Sequence, residues 1–152
     1  MKPTKHTPVL IVGGSLVGLS TSLLLANRRV PHLLVESHPG TAIHPRAASS
    51  HQRSMEIFRC AGVLSEVEAA ATREFRQNGA IVAVESLGGK ELHYFARSWN
   101  AGVEDLSPVA RLFISQVGLE PALRERARER GPNTASLPSW CPSSSTTTTS
   151  SR

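Results

Sequence analysis

Six residues near the start of the chain have the types and the spacing of a phosphate-binding turn: Gly13, Gly14, Ser15, Leu16, Val17 and Gly18. The pattern is G-x-G-x-x-G with serine in place of the second glycine. In such a turn the first glycine permits a tight bend, the third position lets the backbone approach a pyrophosphate, and the last glycine lets a helix pack closely on a strand. The unpaired N–H groups at the start of the following helix attract the phosphates. We expect the Ser15 side chain to narrow the approach to those phosphates.

An acid follows the turn at a spacing that suits the same ligand. Glu36 ends an apolar segment about 20 residues further on, where an acid accepts hydrogen bonds from the ribose hydroxyls of a dinucleotide. This favours an adenosine with an unmodified 2′-hydroxyl, as in FAD or NAD, over the 2′-phosphate of NADP. The turn and the acid together do not distinguish FAD from NAD. The alternative is a glycine-rich turn in some other α/β protein.

A strand, a helix and a second strand must position these groups. Residues 9–12 are a short continuous apolar run, which is typical of a strand buried on both faces of a parallel sheet. Apolar residues then recur at helical spacing, at Leu16, Leu19, Leu23 and Ala26. Residues 32–36 have the pattern of a second strand. The order of these elements predicts a β-α-β unit in an α/β fold.

The same apolar stretch, residues 9–26, has the length of a signal peptide or a membrane span. Glycines and a serine interrupt it after four apolar residues, so we expect no membrane partner and a cytoplasmic protein. The 17 basic residues exceed the 12 acidic ones, but they form no stripe interleaved with aromatics, so we expect no nucleic-acid partner. Two cysteines without metal-ligand spacing predict no metal site. We expect pairs such as Glu120–Arg124 to form a solvated helix face.

Four stretches, in chain order, resemble the N-terminal part of FAD-dependent aromatic hydroxylases. These are the single-component flavin monooxygenases related to p-hydroxybenzoate hydroxylase, and the most similar group acts on polyketides and phenols. The stretches are VLIVGGSLVGLSTSLLLA, LLVESHPGTAIHPRA, RSMEIFRCAGV and ISQVGLEPALRERARERG. The resemblance implies FAD as cofactor, NAD(P)H as co-substrate, and O₂-dependent hydroxylation of a small aromatic substrate. Serine in the glycine turn resembles a variant that this family uses.

The resemblance also implies roles for single residues. Arg46 would lie near the flavin pyrophosphate and ribityl chain, where a cation offsets phosphate charge, and Gln116 would hydrogen-bond the cofactor. The alternatives are a surface arginine and a polar helix residue. With Glu36 and the six turn residues, these are the predicted cofactor-binding residues. We predict no catalytic residue, and we expect His44 and His51 to be loop histidines.

We expect residues 1–131 to form a truncated, partial Rossmann-like FAD-binding domain. It includes a hairpin at about 80–96 that would begin the β-sheet of the family's substrate domain. Residues 132–152 are a Ser/Thr/Pro-rich tail that can bury little apolar surface, so we expect disorder there. A shift of reading frame after Gly131 is our hypothesis for this tail. Two functions therefore stay open, the FAD-binding part of a monooxygenase and a non-catalytic remnant that binds FAD weakly or not at all.

Overall fold

The computed structural model describes residues 6–38, 40–44 and 46–130. The tail predicted to be disordered, residues 132–152, lies outside the described residues. Within the described part the elements follow the order β1 (Val9–Val12), α1 (Leu16–Asn27), β2 (His32–Val35), α2 (Gln52–Cys60), α3 (Leu64–Glu74), β3 (Ile81–Val84), β4 (Glu91–Ala96) and α4 (Gln116–Glu129). The predicted α/β class is confirmed.

The N-terminal β-α-β unit forms as its apolar periodicity predicts. Strands β1 and β2 pair in parallel, with Val9 opposite His32 and Val12 opposite Val35. The Gly13 N–H donates to the Val35 carbonyl at 2.8 Å and continues this pairing into the turn. Because both strands end at the same edge, the turn after β1 and the residues after β2 lie side by side.

The core lies around α4, which packs against both α1 and α3. Its Leu123 is fully buried beside Leu23 of α1 and Val67 of α3, which belong to the same apolar cluster. Each side chain of this size stabilises the fold by about 1.5–3 kcal/mol on burial. Helix α4 is therefore anchored to the β-α-β unit, although 80 residues lie between Val35 and Gln116 in the chain.

A buried polar pair ties α1 to β2. The Ser22 hydroxyl lies 2.7 Å from Nε2 of His32, and Nδ1 of the same ring lies 2.9 Å from the Val30 carbonyl. A carbonyl only accepts, so Nδ1 carries the proton and Nε2 accepts from Ser22. Ser22 is 0% exposed and His32 is 5% exposed, so this pair is a satisfied polar contact inside the core.

Strand β1 differs from the expectation that both of its faces are buried. Leu10 is 58% exposed and Val12 is 79% exposed. Within the described residues β2 is the only strand that pairs with β1, so the other edge and one face of β1 have no cover. The expectation of a fully buried strand is therefore wrong for this part of the chain.

A hairpin and three helices complete the described part of the chain. The hairpin predicted near residues 80–96 is confirmed as the antiparallel pair β3–β4. The last helix begins at Gln116, where Ser115 is the N-cap and accepts from the Gly118 N–H. Helix α3 was not predicted. It follows α2 after a short break, in which Gly62 has a φ of +71°.

Candidate functional site

The glycine turn joins β1 to α1 with no room for a side chain at its last glycine. A Cβ built on Gly18 would lie 1.8 Å from the Gly13 carbonyl oxygen, and Gly13 itself has a φ of +102°. Both positions therefore require glycine. Helix α1 then begins with Ser15 as N-cap, no side-chain cap bond and no acid in its first turn. Its first N–H groups and its positive dipole end suit an anion.

Glu36 closes one side of this turn. Its Oε2 accepts from the Gly14 N–H at 2.5 Å, and its Oε1 accepts from the His38 N–H at 2.8 Å. The hydrogen bond from Gly14, followed by that from His38, lowers the pKa of Glu36 from 4.5 to about 2. The side chain remains 18% exposed. Glu36 is thus an ionised acceptor at the carboxyl end of β2.

A short stretch of backbone pairing brings Arg46 beside Gln116. The Gln116 N–H donates to the Arg46 carbonyl at 3.1 Å, and the Ile114 N–H donates to the Ala48 carbonyl at 3.0 Å. Between these two contacts Ala47 has a φ of +52°, a conformation that a residue with a Cβ rarely adopts. The pairing places the residues after β2 along the start of α4, although they are far apart in sequence.

The structure corrects the expectation that Glu120 lies on a solvated helix face. It also shows Glu120 to be a residue beside the turn that the sequence did not indicate. It is 1% exposed rather than part of a solvated face. Its Oε1 accepts from Ser15 Oγ at 2.7 Å and from Gln116 Nε2 at 2.6 Å, and its Oε2 accepts from the Ala42 N–H at 2.6 Å. Burial alone would raise the pKa of Glu120, but these hydrogen bonds outweigh it and the pKa lies below the usual value. The one signal was the i,i+4 spacing of Gln116 and Glu120.

Together these groups line an open groove of about 500 Å³. The predicted cofactor residues along it are Gly14, Ser15, Glu36, Arg46 and Gln116, joined by His38, residues 40–44 and Glu120. The other four predicted residues do not line it. Gly13 and Gly18 shape the turn, Leu16 packs against the core, and Val17 is 81% exposed.

The groove has a distribution of charge that suits a ligand with both hydroxyls and phosphates. Among the lining residues, Glu36 supplies a hydrogen-bond acceptor and Arg46 supplies a positive charge. Of the two loop histidines, His44 lines the groove, and His51 is the N-cap of α2. Within residues 6–38, 40–44 and 46–130, no group of three or more His, Cys, Asp and Glu side chains could hold a metal ion. None of the helices in that part is long and apolar enough to cross a membrane.

Comparison with known proteins finds a matching family model and similar oxygenases. A family model described as an FAD binding domain matches residues 6–136. The 4-methyl-5-nitrocatechol 5-monooxygenase of a Burkholderia species is 50% identical over 129 residues, which are 85% of this chain and 24% of that protein. A putative polyketide hydroxylase of Streptomyces halstedii is 43% identical over 128 residues, 83% of this chain and 23% of that protein. The chain thus spans about a quarter of the length of these relatives.

Solved structures show the same likeness in three dimensions. The flavin-dependent monooxygenase PieE, in complex with FAD and substrate, superposes with a TM-score of 0.72 at 35% identity, over 84% of this chain and 23% of that one. Aklavinone-11 hydroxylase, in a ternary complex with FAD and aklavinone, superposes with a TM-score of 0.69 at 36% identity, over 85% of this chain and 25% of that one.

Proposed function

The chain belongs to the FAD binding domain family, and from this premise we propose that its groove holds the adenosine diphosphate half of FAD in a monooxygenase of aromatic or polyketide substrates. One observation carries the proposal. The glycine turn, the Glu36 carboxylate and Arg46 line a single groove at the carboxyl ends of two parallel strands. Dinucleotides bind at this place in open α/β sheets.

The turn fits a pyrophosphate group. A Cβ added at Gly13 would meet no atom of the described residues within 4 Å, and one added at Gly14 would come to 3.0 Å from the Glu36 Cβ. Absence of side chains at both positions keeps the backbone accessible beside the start of α1. There the helix N–H groups would donate to phosphate oxygens, as at other helix N-termini. Arg46 would offset the remaining phosphate charge.

Glu36 suits the ribose of the adenosine. Its ionised carboxylate accepts hydrogen bonds, and a ribose 2′-hydroxyl can donate one. A 2′-phosphate at the same place would meet like charge, so we expect NADP to be excluded from this groove. The low pKa of Glu36, about 2, keeps it charged throughout the neutral range.

The bound flavin would supply the redox chemistry with NAD(P)H and O₂, while the residues of this chain bind and orient the cofactor. The names of the relatives, a nitrocatechol monooxygenase and a polyketide hydroxylase, support a small aromatic or polyketide substrate. Because the proposed reaction needs NAD(P)H, we propose a cytoplasmic location, where that reductant is supplied. We propose no catalytic residue, because the described groove holds groups suited to the cofactor rather than to an aromatic ring.

The experiment is a titration of the 152-residue chain with FAD, FMN and ADP. FAD is the whole cofactor, ADP represents its adenosine diphosphate half, and FMN represents its flavin half. We expect FAD to bind, ADP to compete with it, and FMN, which lacks the adenosine, to bind far more weakly. Equal binding of FMN and FAD would contradict the proposed use of the groove. Turnover is a separate readout, in which NAD(P)H oxidation is followed with FAD and a phenolic substrate present.

The second candidate is a chain that binds FAD weakly and does not catalyse. The exposed apolar side chains favour it. Besides Leu10 and Val12 on β1, the hairpin exposes Leu92 by 62% and Phe95 by 70%. Surfaces of this kind at a sheet edge promote self-association. This candidate predicts that the purified chain aggregates without retaining flavin, whereas the first predicts a monodisperse yellow protein.

A further inference from the structure

Glu120 is a buried acid in the groove wall to which the proposed function gives no task. We infer that Glu120 is a positioning residue, whose carboxylate fixes the glycine turn, the 40–44 loop and the Gln116 side chain in the arrangement that holds the cofactor. The inference rests on the proposed function and deepens it. Three separate contacts carry it.

The carboxylate joins three segments that are distant in the chain. Ser15 belongs to the turn before α1, Ala42 to the loop after β2, and Gln116 to the first turn of α4. A carboxylate only accepts hydrogen bonds and has room for about four, so it can satisfy all three donors at once. A neutral glutamine of similar size has one acceptor oxygen and one NH₂ donor, so it cannot accept hydrogen bonds at both positions. The shape of the groove wall therefore depends on this one group.

The contact also fixes which end of the Gln116 amide meets the ligand. Because the carboxylate cannot donate, the amide nitrogen of Gln116 must face it, and the same nitrogen lies 2.8 Å from Ser15 Oγ. Among the described residues no donor is bonded to Gln116 Oε1. Gln116 therefore presents an acceptor to the groove, which suits a sugar or ribityl hydroxyl. Phosphate oxygens at neutral pH are acceptors and do not suit it.

The Ser15 side chain forms part of the groove wall through its hydrogen bonds. Its hydroxyl donates to Glu120 and accepts from Gln116 Nε2, so both its donor and its acceptor functions are used within the wall. The serine that we expected to narrow the approach to the phosphates also links α1 to α4. Ser15 and Glu120 should therefore act as a coupled pair.

The direction of the change in FAD affinity distinguishes a positioning role of Glu120 from a purely electrostatic one. A second carboxylate beside an anionic ligand repels it, so if Glu120 acted only through charge, Glu120→Gln would strengthen FAD binding. If Glu120 acts by positioning, the glutamine weakens binding, because its NH₂ group meets either the Ala42 N–H or the Gln116 amide nitrogen. The two accounts thus predict opposite changes for the same variant.

The experiment compares the FAD dissociation constants of the wild-type chain, Glu120→Gln and Glu125→Gln. Glu125 is an exposed acid on the same helix and serves as the matched control. We expect Glu120→Gln to bind FAD about tenfold more weakly and the control to stay within about twofold. Equal or tighter binding by Glu120→Gln overturns the inference. If that variant does not fold, Ser15→Ala removes one donor to the same carboxylate, and unchanged FAD binding by Ser15→Ala overturns the inference equally.

A readout without cofactor separates this inference from the proposed function. In a ¹H–¹⁵N spectrum of the chain alone, Glu120→Gln should shift the Gln116 side-chain amide and the Ala42 backbone amide, while Glu125→Gln leaves both in place. If the wild-type chain binds no FAD, the proposed function fails, and these two signals still decide the positioning role. Signals that stay unmoved in Glu120→Gln overturn it.

Discussion

Gly18→Ala is the sharpest single perturbation of the turn on which the groove depends. The added Cβ would lie 1.8 Å from the Gly13 carbonyl oxygen and 2.9 Å from its carbonyl carbon. Side-chain carbons essentially never approach closer than 3.0 Å, so α1 and the turn would have to separate by more than 1 Å. The obstacle is backbone and cannot rotate away.

The magnitude follows from three contributions, two that destabilise the fold and one that stabilises it. Overpacking of this kind costs about 1–3 kcal/mol, and more where backbone must move. Alanine recovers about 1 kcal/mol through its better helix propensity. The displacement also strains the 2.8 Å bond from Gly13 N–H to the Val35 carbonyl, which contributes about 1 kcal/mol. We therefore expect the free energy of unfolding to fall by about 2 kcal/mol.

The assay is urea denaturation followed by far-UV circular dichroism. Gly88→Ala is the control, because no atom of the described residues lies within 4 Å of its added Cβ, and we expect it to change the free energy of unfolding by less than about 0.5 kcal/mol. A Gly18→Ala protein as stable as the Gly88→Ala protein would refute the close packing of α1 on the turn. It would also remove the steric reason for glycine at this position.

Two further predictions concern stability. Ser22→Ala leaves Nε2 of the buried His32 without its 2.7 Å partner, so the free energy of unfolding should fall by about 1–3 kcal/mol in the same urea assay, and no change would show that the pair is dispensable. The pKa of Glu36 is about 2 in the folded chain and 4.5 for an unperturbed glutamate. The stabilisation of the fold by this ionised carboxylate is therefore present above pH 4.5 and is lost as the pH falls towards 2. Since solvent screens this partly exposed group, the loss should be about 1–2 kcal/mol. Glu36→Gln should flatten that part of the pH dependence, and an unaltered profile would assign the pH dependence to other acids.

The sequence indicated the β-α-β unit well because its signals are local. The run Val9–Val12, the helical spacing of Leu19 and Leu23, and the glycines of the turn each report on their own neighbourhood. The family resemblance added Arg46, which the structure places on the same groove as Glu36. Whether these residues bind the cofactor stays a prediction.

What the sequence did not indicate depends on long-range contacts. Glu120 precedes Arg124 by four residues, the spacing of a solvated ion pair, and only the packing of α4 on α1 buries it against Ser15. The expectation that β1 is buried on both faces was wrong for the same reason. Its apolar run is typical of a strand covered on both faces, but burial depends on what packs against it, and Val12 is 79% exposed in the described part of the chain.

The most direct test of the central claim is to map FAD binding onto the chain by ¹H–¹⁵N spectroscopy. If the groove holds the adenosine diphosphate half of the cofactor, added FAD should shift the amides of Gly14, Ser15, Ala42 and Gln116, and ADP should shift the first two. The hairpin amides of β3 and β4 should stay in place. FAD that binds without moving the turn amides, or that moves only the hairpin, would contradict the account.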